Sequence, residues 1–416
     1  MKKLLLFLFV VFNFNLFAQL NTSDISSKIT TKEARKEFTE NQVRLIEDTF
    51  AGLSDSINYD KLSDAFWGME LINYKTDKIK NDIDKILFNY SSYPLNFKRW
   101  LLQVIYSMYP TQFLKPIANI MASETNDKLF AMCANYLIRN GYDKAEITKN
   151  MTKKFPEYKE SPILYMLAAN LDENTPQRPN VKDLISHNIK NGYPIVFSFQ
   201  RKNRDYQGIT VIRKIDGKLF TNNNGTPFYI KQLARAVTNM PGYLTNGNTP
   251  QGIFSIQKFG LSTNKFIGPT TTIELTLPYE VSPAAYFHDS SLSKSDWNIE
   301  MYKNMLPKSW QNYTPIYEAY YAGKAGRNEI ISHGTTVDPT YYKDSPFFPN
   351  TPTYGCLCAA EVWNPITGQL IQSDQVELVN AFINYGFNKG FLVVIDLDDQ
   401  QKDVTLEEVV KLFEGN

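Results

Sequence analysis

Asp172-Glu-Asn-Thr-Pro-Gln-Arg-Pro-Asn180 is polar, carries two prolines and has no periodicity. Such a stretch reads as a boundary, and the sequence follows different rules on its two sides. Upstream, Leu129, Met132, Cys133, Tyr136 and Leu137 recur at the spacing of one helix face, and Asn140-Gly141 supplies a stop. Thr30 and Glu33 have capping-box spacing ahead of the stripe Val43, Ile46, Phe50. Further helices are expected over 78–87, 97–108 and 161–171. Downstream the pattern turns to strands. Ile195-Val-Phe-Ser-Phe199 and Gly208-Ile-Thr-Val-Ile212 are β-branched and aromatic, and Ile215-Asp-Gly-Lys218 is a hairpin turn by composition. Strands are also expected at 270–277 and 390–397, with an amphipathic helix over 374–385. The expected fold is an α+β multidomain chain. An all-α, solenoid-like helical domain over 23–175 precedes a mostly β domain over 190–400.

Of the 416 residues 43% are hydrophobic and 21% charged, the balance of a globular protein rather than a disordered one. Three cysteines cannot staple a chain of this length. Lys plus Arg total 44 against 43 Asp plus Glu, so there is no basic excess to mark a nucleic-acid partner. At the start, Lys2 and Lys3 precede the uncharged apolar run Leu4–Phe12. That run is too short to span a bilayer and reads as a signal peptide over 1–18, cut after Ala18. Leu16 stands where a small residue is usual, and no cysteine follows the cut for a lipid anchor. The mature chain is therefore expected in the periplasm or cell envelope, or secreted, without a transmembrane segment.

The titratable nucleophiles and bases are few: His187, His288, His333, Cys133, Cys356 and Cys358. No two pairs of them have zinc-finger spacing, so no metal site is expected. Cys133 belongs to an apolar helix face and reads as core. His187 falls in an expected helix, and His288 beside Asp289 reads as a loop histidine or a substrate rim. His333 differs, because Ile330-Ile-Ser-His333-Gly334-Thr335 ends an apolar stretch at an expected strand terminus. Thr353-Tyr354-Gly355-Cys356 follows a loop containing Pro346, Pro349 and Pro352. A thiol is mostly protonated at neutral pH and needs a base, which an imidazole supplies. Glycine before it lets the backbone approach a substrate, so N–H groups of Gly355 and Cys356 are candidate oxyanion donors. A buried Cys356, or a strained bridge to Cys358, is the competing structural reading.

These segments together resemble the signature of the YkuD-type L,D-transpeptidases, in which His-Gly is followed by a loop and then [Ser/Thr]-x-Gly-Cys-[Ile/Val/Leu]. Thr249-Pro250-Gln-Gly252-Ile-Phe254 is similar to that family's Thr-Pro-x-Gly-x-Phe strand entry, and Pro315–Tyr321 to the aromatic strand before its His-Gly. The resemblance covers 190–400. It implies Cys356 as nucleophile, His333 as general base, Gly355 and the Cys356 N–H at the oxyanion, Thr353 supporting the loop and Gly334 allowing close passage. Tyr354 stands where the family often has histidine, and Cys358 where it often has Arg or Asn. The loop over 338–352 is longer than usual.

The implied activity is transpeptidation of peptidoglycan stem peptides through a thioester, giving 3→3 cross-links without a metal or organic cofactor. An L,D-carboxypeptidase, an amidase on another envelope peptide and a catalytically silent wall-binding module remain alternatives. The helical half is a candidate surface for a protein partner. The amphipathic segment 289–312 is expected to be helical, either as a lid over the site or as a plain insertion.

Overall fold

Side-chain caps set where most helices of the N-terminal half begin. In the computed structural model, which describes residues 20–53, 58–174 and 176–414, eight α-helices make up the N-terminal half. They are α1 (Lys32–Ala51), α2 (Tyr59–Ile72), α3 (Asp77–Phe88), α4 (Leu95–Met108), α5 (Leu114–Ser123), α6 (Asp127–Arg139), α7 (Lys144–Lys154) and α8 (Pro162–Leu171). Asn58, Thr76, Asn126, Asp143 and Ser161 each accept a first-turn N–H that has no partner inside the helix. The expected capping box at Thr30 is displaced. Thr31 is the cap, accepting from Ala34 N–H, while the Thr30 hydroxyl turns back to the Ser27 carbonyl. The signal peptide expected over 1–18 lies outside the described residues. α1 packs on α2, α2 on α4, α4 on α6 and α6 on α8. Among the described residues no helix is long and apolar enough to cross a membrane.

A short helix, α9 (Val181–Ser186), leads into the sheet-rich half. His187 ends it in extended conformation rather than lying inside it. Eight strands then close into a barrel: β1 (Ile195–Gln200), β2 (Gly208–Arg213), β3 (Ile230–Leu233), β4 (Gly252–Gly260), β5 (Thr272–Thr276), β6 (Ile330–His333), β7 (Leu357–Ala359) and β10 (Gly390–Asp396). Their order round the barrel is β1-β10-β4-β5-β6-β7-β3-β2, with β1–β10 and β6–β7 parallel and the other pairs antiparallel. β8 (Glu361–Trp363) and β9 (Leu370–Ser373) form a separate antiparallel pair. The connecting helices are α10 (Pro283–Tyr286), α11 (Ile299–Lys303), α12 (Glu318–Lys324), α13 (Asp374–Asn384) and α14 (Leu406–Phe413).

Side chains alternate across a strand, and the strands use both faces. Val196, Ile212, Phe254, Leu275, Leu357 and Val394 meet inside the barrel with α13, while Phe197, Phe199, Ile253 and Val393 face outward under α9, α14 and the segment before α12. Two expectations fail here. Pro315–Tyr321 is helical, not a strand: Pro315 and the run of Tyr and Ala fit a 3₁₀ turn leading into α12. The segment 289–312 is mostly short turns around α11. Its Tyr302, Met305, Leu306 and Trp310 are buried against the outward face of the barrel.

The two halves share a core. Met240, Tyr243 and Leu244, from the loop before β4, are buried in the same cluster as the helices, and the Asn135 amide donates to Tyr243 Oη at 2.8 Å. Burial of each such side chain is worth about 1.5–3 kcal/mol, enough together to hold the helices firmly against the barrel.

Candidate active site

β6 and β7 bring the two halves of the motif together. They run parallel, with Ser332 opposite Leu357 and His333 opposite Cys358. Ser332 and Leu357 point into the barrel, where the Ser332 hydroxyl donates to Gln375 at 2.9 Å and accepts from Gln232 at 2.9 Å. One residue on, His333 and Cys358 therefore face out, toward the helical half. Cys356 precedes β7 by one residue and opens on a cleft of about 370 Å³, which His333, Thr353 and Tyr354 also line. The opposite wall is α2, through Trp67 and Leu71, together with Phe266. No residue of 289–312 lines this cleft, so that segment is no lid.

The loop before Cys356 is tied by its own side chains. The Thr353 hydroxyl accepts from the Gly355 N–H and donates to the Cys356 carbonyl, both at 3.0 Å. Thr249 donates to the Gly355 carbonyl at 2.9 Å. Gly355 has φ +118°, and a Cβ there would run into the Arg327 guanidinium, so only glycine fits. Arg327 is buried and donates to the carbonyls of Gly242, Gly247 and Asn248. It fixes the turn before β4 against the back of the Cys356 loop. The Gly355 N–H, expected to face an oxyanion, is thus taken up by Thr353.

His333 is 4% exposed. Its Nδ1 donates to the Gly334 carbonyl, which leaves the Nε2 lone pair as acceptor. Burial pushes the imidazole down to about 4, against the smaller opposing pull of that carbonyl. The Cys356 Sγ lies 3.7 Å from the Glu329 carbonyl. Burial pushes its thiol up to about 11, although the Ile331 N–H and Arg327 favour the thiolate. At neutral pH both groups are thus uncharged, a thiol and an imidazole that line the same cleft.

Two carboxyls complete the surroundings, Glu70 buried and Glu361 half-buried, and neither was visible in the sequence. Glu361 Oε2 accepts the Thr335 N–H at 2.9 Å, and Oε1 accepts the Ser373 hydroxyl at 2.8 Å. A Cβ on Gly334 would strike this carboxylate, which explains glycine after His333. Trp363 Nε1 donates to the Thr335 carbonyl at 2.9 Å, so β8 holds the turn from both sides. Glu70 of α2 takes bonds from Gln103 and Ser107, both at 2.7 Å, and from the Tyr354 hydroxyl at 3.1 Å. Burial pushes both carboxyls up to about 7.

The other candidates lie apart. Cys133 is buried in α6, and Cys358 is buried against Thr351. His288 contacts the Ser255 hydroxyl at 3.1 Å and packs on Tyr193, away from the cleft. Among the described residues no three His, Cys, Asp or Glu side chains gather to hold a metal ion. No protein-family model, curated protein or solved structure matches the chain. The functional reading therefore rests on the geometry of this site and on the motif residues themselves.

Proposed function

We propose that the chain is a cysteine acyltransferase acting on peptidoglycan stem peptides, an L,D-transpeptidase. The observation that carries this reading is the meeting of Cys356 and His333 in one cleft. There the imidazole is fixed through Nδ1 by the Gly334 carbonyl, and the nucleophile loop is fixed by Thr353, Thr249 and Arg327. Cys356 attacks the carbonyl of the third stem residue as His333 Nε2 takes the thiol proton. The Cys356 N–H faces the developing oxyanion. The imidazolium returns the proton to the departing D-amino acid amine, leaving a thioester. An amine from a second stem then attacks, loses its proton to His333 and forms the 3→3 amide while the thiol is restored.

The test is incubation of the protein, and of a Cys356→Ala variant, with purified disaccharide-tetrapeptide, followed by mass spectrometry. A Cys356-dependent dimer lacking one D-Ala is the expected product. Tripeptide monomer alone would replace transpeptidation with hydrolysis at the same pair. Substrate left unchanged by both proteins would remove the reading.

A further inference from the structure

The helical half holds a pocket of its own, of about 350 Å³, where the beginnings of α4, α6 and α8 meet beside Ala325. Two half-buried cations stand in it, Arg99 and Lys128. The Arg99 guanidinium lies over the Trp100 ring at 4.4 Å and gives one N–H to Gln103 Oε1 at 3.1 Å. The Lys128 ammonium gives one to the Thr245 hydroxyl at 3.1 Å. Among the described residues neither forms an ion pair. Burial holds the pKa of both below the usual value, and for Lys128 the Arg99 charge adds to that effect. Two like charges are thus brought together partly out of solvent, each with donors left over.

The acids nearby do not neutralise them. Asp127 is the one carboxylate lining the pocket, and both its oxygens are in use. Oδ1 accepts the Lys128 N–H at 2.7 Å, and Oδ2 accepts the Ser161 hydroxyl at 2.5 Å. Glu70 reaches Arg99 through Gln103, which donates to it at 2.7 Å. Burial pushes the Glu70 carboxyl up to about 7, so it carries only part of a charge near neutrality. Two cations against one acid leave the pocket lining a formal excess of +1. The backbone adds to that excess: Ile163, in the first turn of α8, lines the pocket, and its N–H has no partner inside the helix. Donors thus come from three elements, a guanidinium fork on α4, an ammonium on α6 and an amide on α8. That spread suits the oxygens of a tetrahedral oxyanion better than a planar carboxylate, which one guanidinium satisfies alone.

We infer that this pocket binds a phosphate group, held between Arg99 and Lys128. The phosphate supplies the counter-charge that the chain leaves out and takes up the donors left on the guanidinium and the ammonium. The site does not depend on the chemistry at Cys356, although it backs onto it. Thr245, the partner of Lys128, lines the Cys356 cleft, and so does Asn246, which donates to Gln103 at 2.9 Å. Inorganic phosphate and a phosphate monoester present the same group, and the volume of the pocket admits either.

The test is calorimetric titration of the full-length protein at low ionic strength with inorganic phosphate, methyl phosphate and acetate, against sodium chloride at matched ionic strength. One saturable phosphate site is expected, on the order of tenfold tighter than acetate, the scale of one further charge-assisted bond. Tighter binding of methyl phosphate than of the free ion makes the ligand an ester, and the reverse makes it the ion itself. Arg99→Gln and Lys128→Gln should each weaken phosphate binding about tenfold or more, and Arg99→Lys should keep part of it. Lys36→Gln, at an exposed position of α1, should leave it unchanged. Phosphate should also raise the thermal midpoint of the unmodified protein and of Lys36→Gln, but not that of Lys128→Gln. The Lys128→Gln variant keeps most of the side-chain stem, so it decides the matter even where Arg99→Gln does not fold. No saturable phosphate binding, acetate as tight as phosphate, or binding that survives Lys128→Gln would overturn the site.

Discussion

Glu70 of α2 and Tyr354, two positions before Cys356, are joined by a 3.1 Å hydrogen bond although 284 positions separate them in sequence. The helical half is therefore part of the site's construction, since α2 supplies one wall of the cleft and also an anchor for the loop before Cys356. Tyr342 adds a second anchor, donating to the Leu71 carbonyl at 2.9 Å. Tyr354→Phe removes one bond and little volume. The expected result is a fall in kcat of about three- to tenfold, the worth of roughly one hydrogen bond, with KM nearly unchanged. Steady-state kinetics on the disaccharide-tetrapeptide decide this; an unaltered kcat would mean the loop keeps its place without α2.

Glu70 also sets a pH dependence of stability. Burial raises its carboxyl from 4.5 to about 7, so between those values the folded state binds a proton that the unfolded chain has lost. Stability contributed by protonated Glu70 is present below pH 4.5 and declines as pH rises toward 7. Glu70→Gln keeps a neutral group at every pH. Relative to the unmodified protein, the variant should gain up to about 3 kcal/mol on going from pH 4 to pH 8. Urea unfolding at the two pH values measures it, and a pH-independent difference would show that Glu70 ionises normally.

Glu361 bears on His333, the proposed base, through the backbone. It holds the Thr335 N–H, and the neighbouring Gly334 carbonyl orients His333. Glu361→Ala should lower kcat by about tenfold or more with little change in KM, because the imidazole loses its fixed direction while the cleft wall stays. Glu361→Gln, which retains an acceptor for Thr335, should recover most of that loss. A KM effect without a kcat effect would place Glu361 in substrate binding instead.

The division into a helical half and a strand-rich half was legible because side-chain period is a local property. Leu129 to Leu137 on α6 and Gly390 to Asp396 on β10 needed no tertiary information. His333 at a strand end and Gly355 beside the thiol were legible for the same reason. The remainder depends on contacts far apart in sequence. Nothing near Arg327 announces that its guanidinium will fill the space a Cβ at Gly355 would occupy. Glu70 and Glu361 look like ordinary charged residues until burial makes them otherwise. Pro315–Tyr321 misled because aromatic residues favour strands only weakly, and packing on α8 and β4 made that segment helical. In the segment 289–312, apolar residues at near-helical spacing are spent on anchoring turns to the barrel, which periodicity alone does not distinguish from a helix.

The protonation state of the resting pair gives the last prediction. With the Cys356 thiol at about 11 and His333 at about 4, neither is charged near pH 7, and the thiolate is a minor species that grows tenfold with each pH unit. Alkylation of Cys356 by iodoacetamide, followed by peptide mass spectrometry, should rise steeply from pH 7 to pH 10 without a plateau near neutrality. Cys133 and Cys358, both buried, should react more slowly. His333→Ala removes a base that is neutral in either case and gives no ion pair to break, so the alkylation profile should stay within about threefold. Acyl transfer by the same variant should fall about 10²–10⁴-fold, the usual worth of a general base. A plateau around neutral pH that disappears in His333→Ala would reveal a standing thiolate–imidazolium pair, and proton transfer would then precede substrate attack.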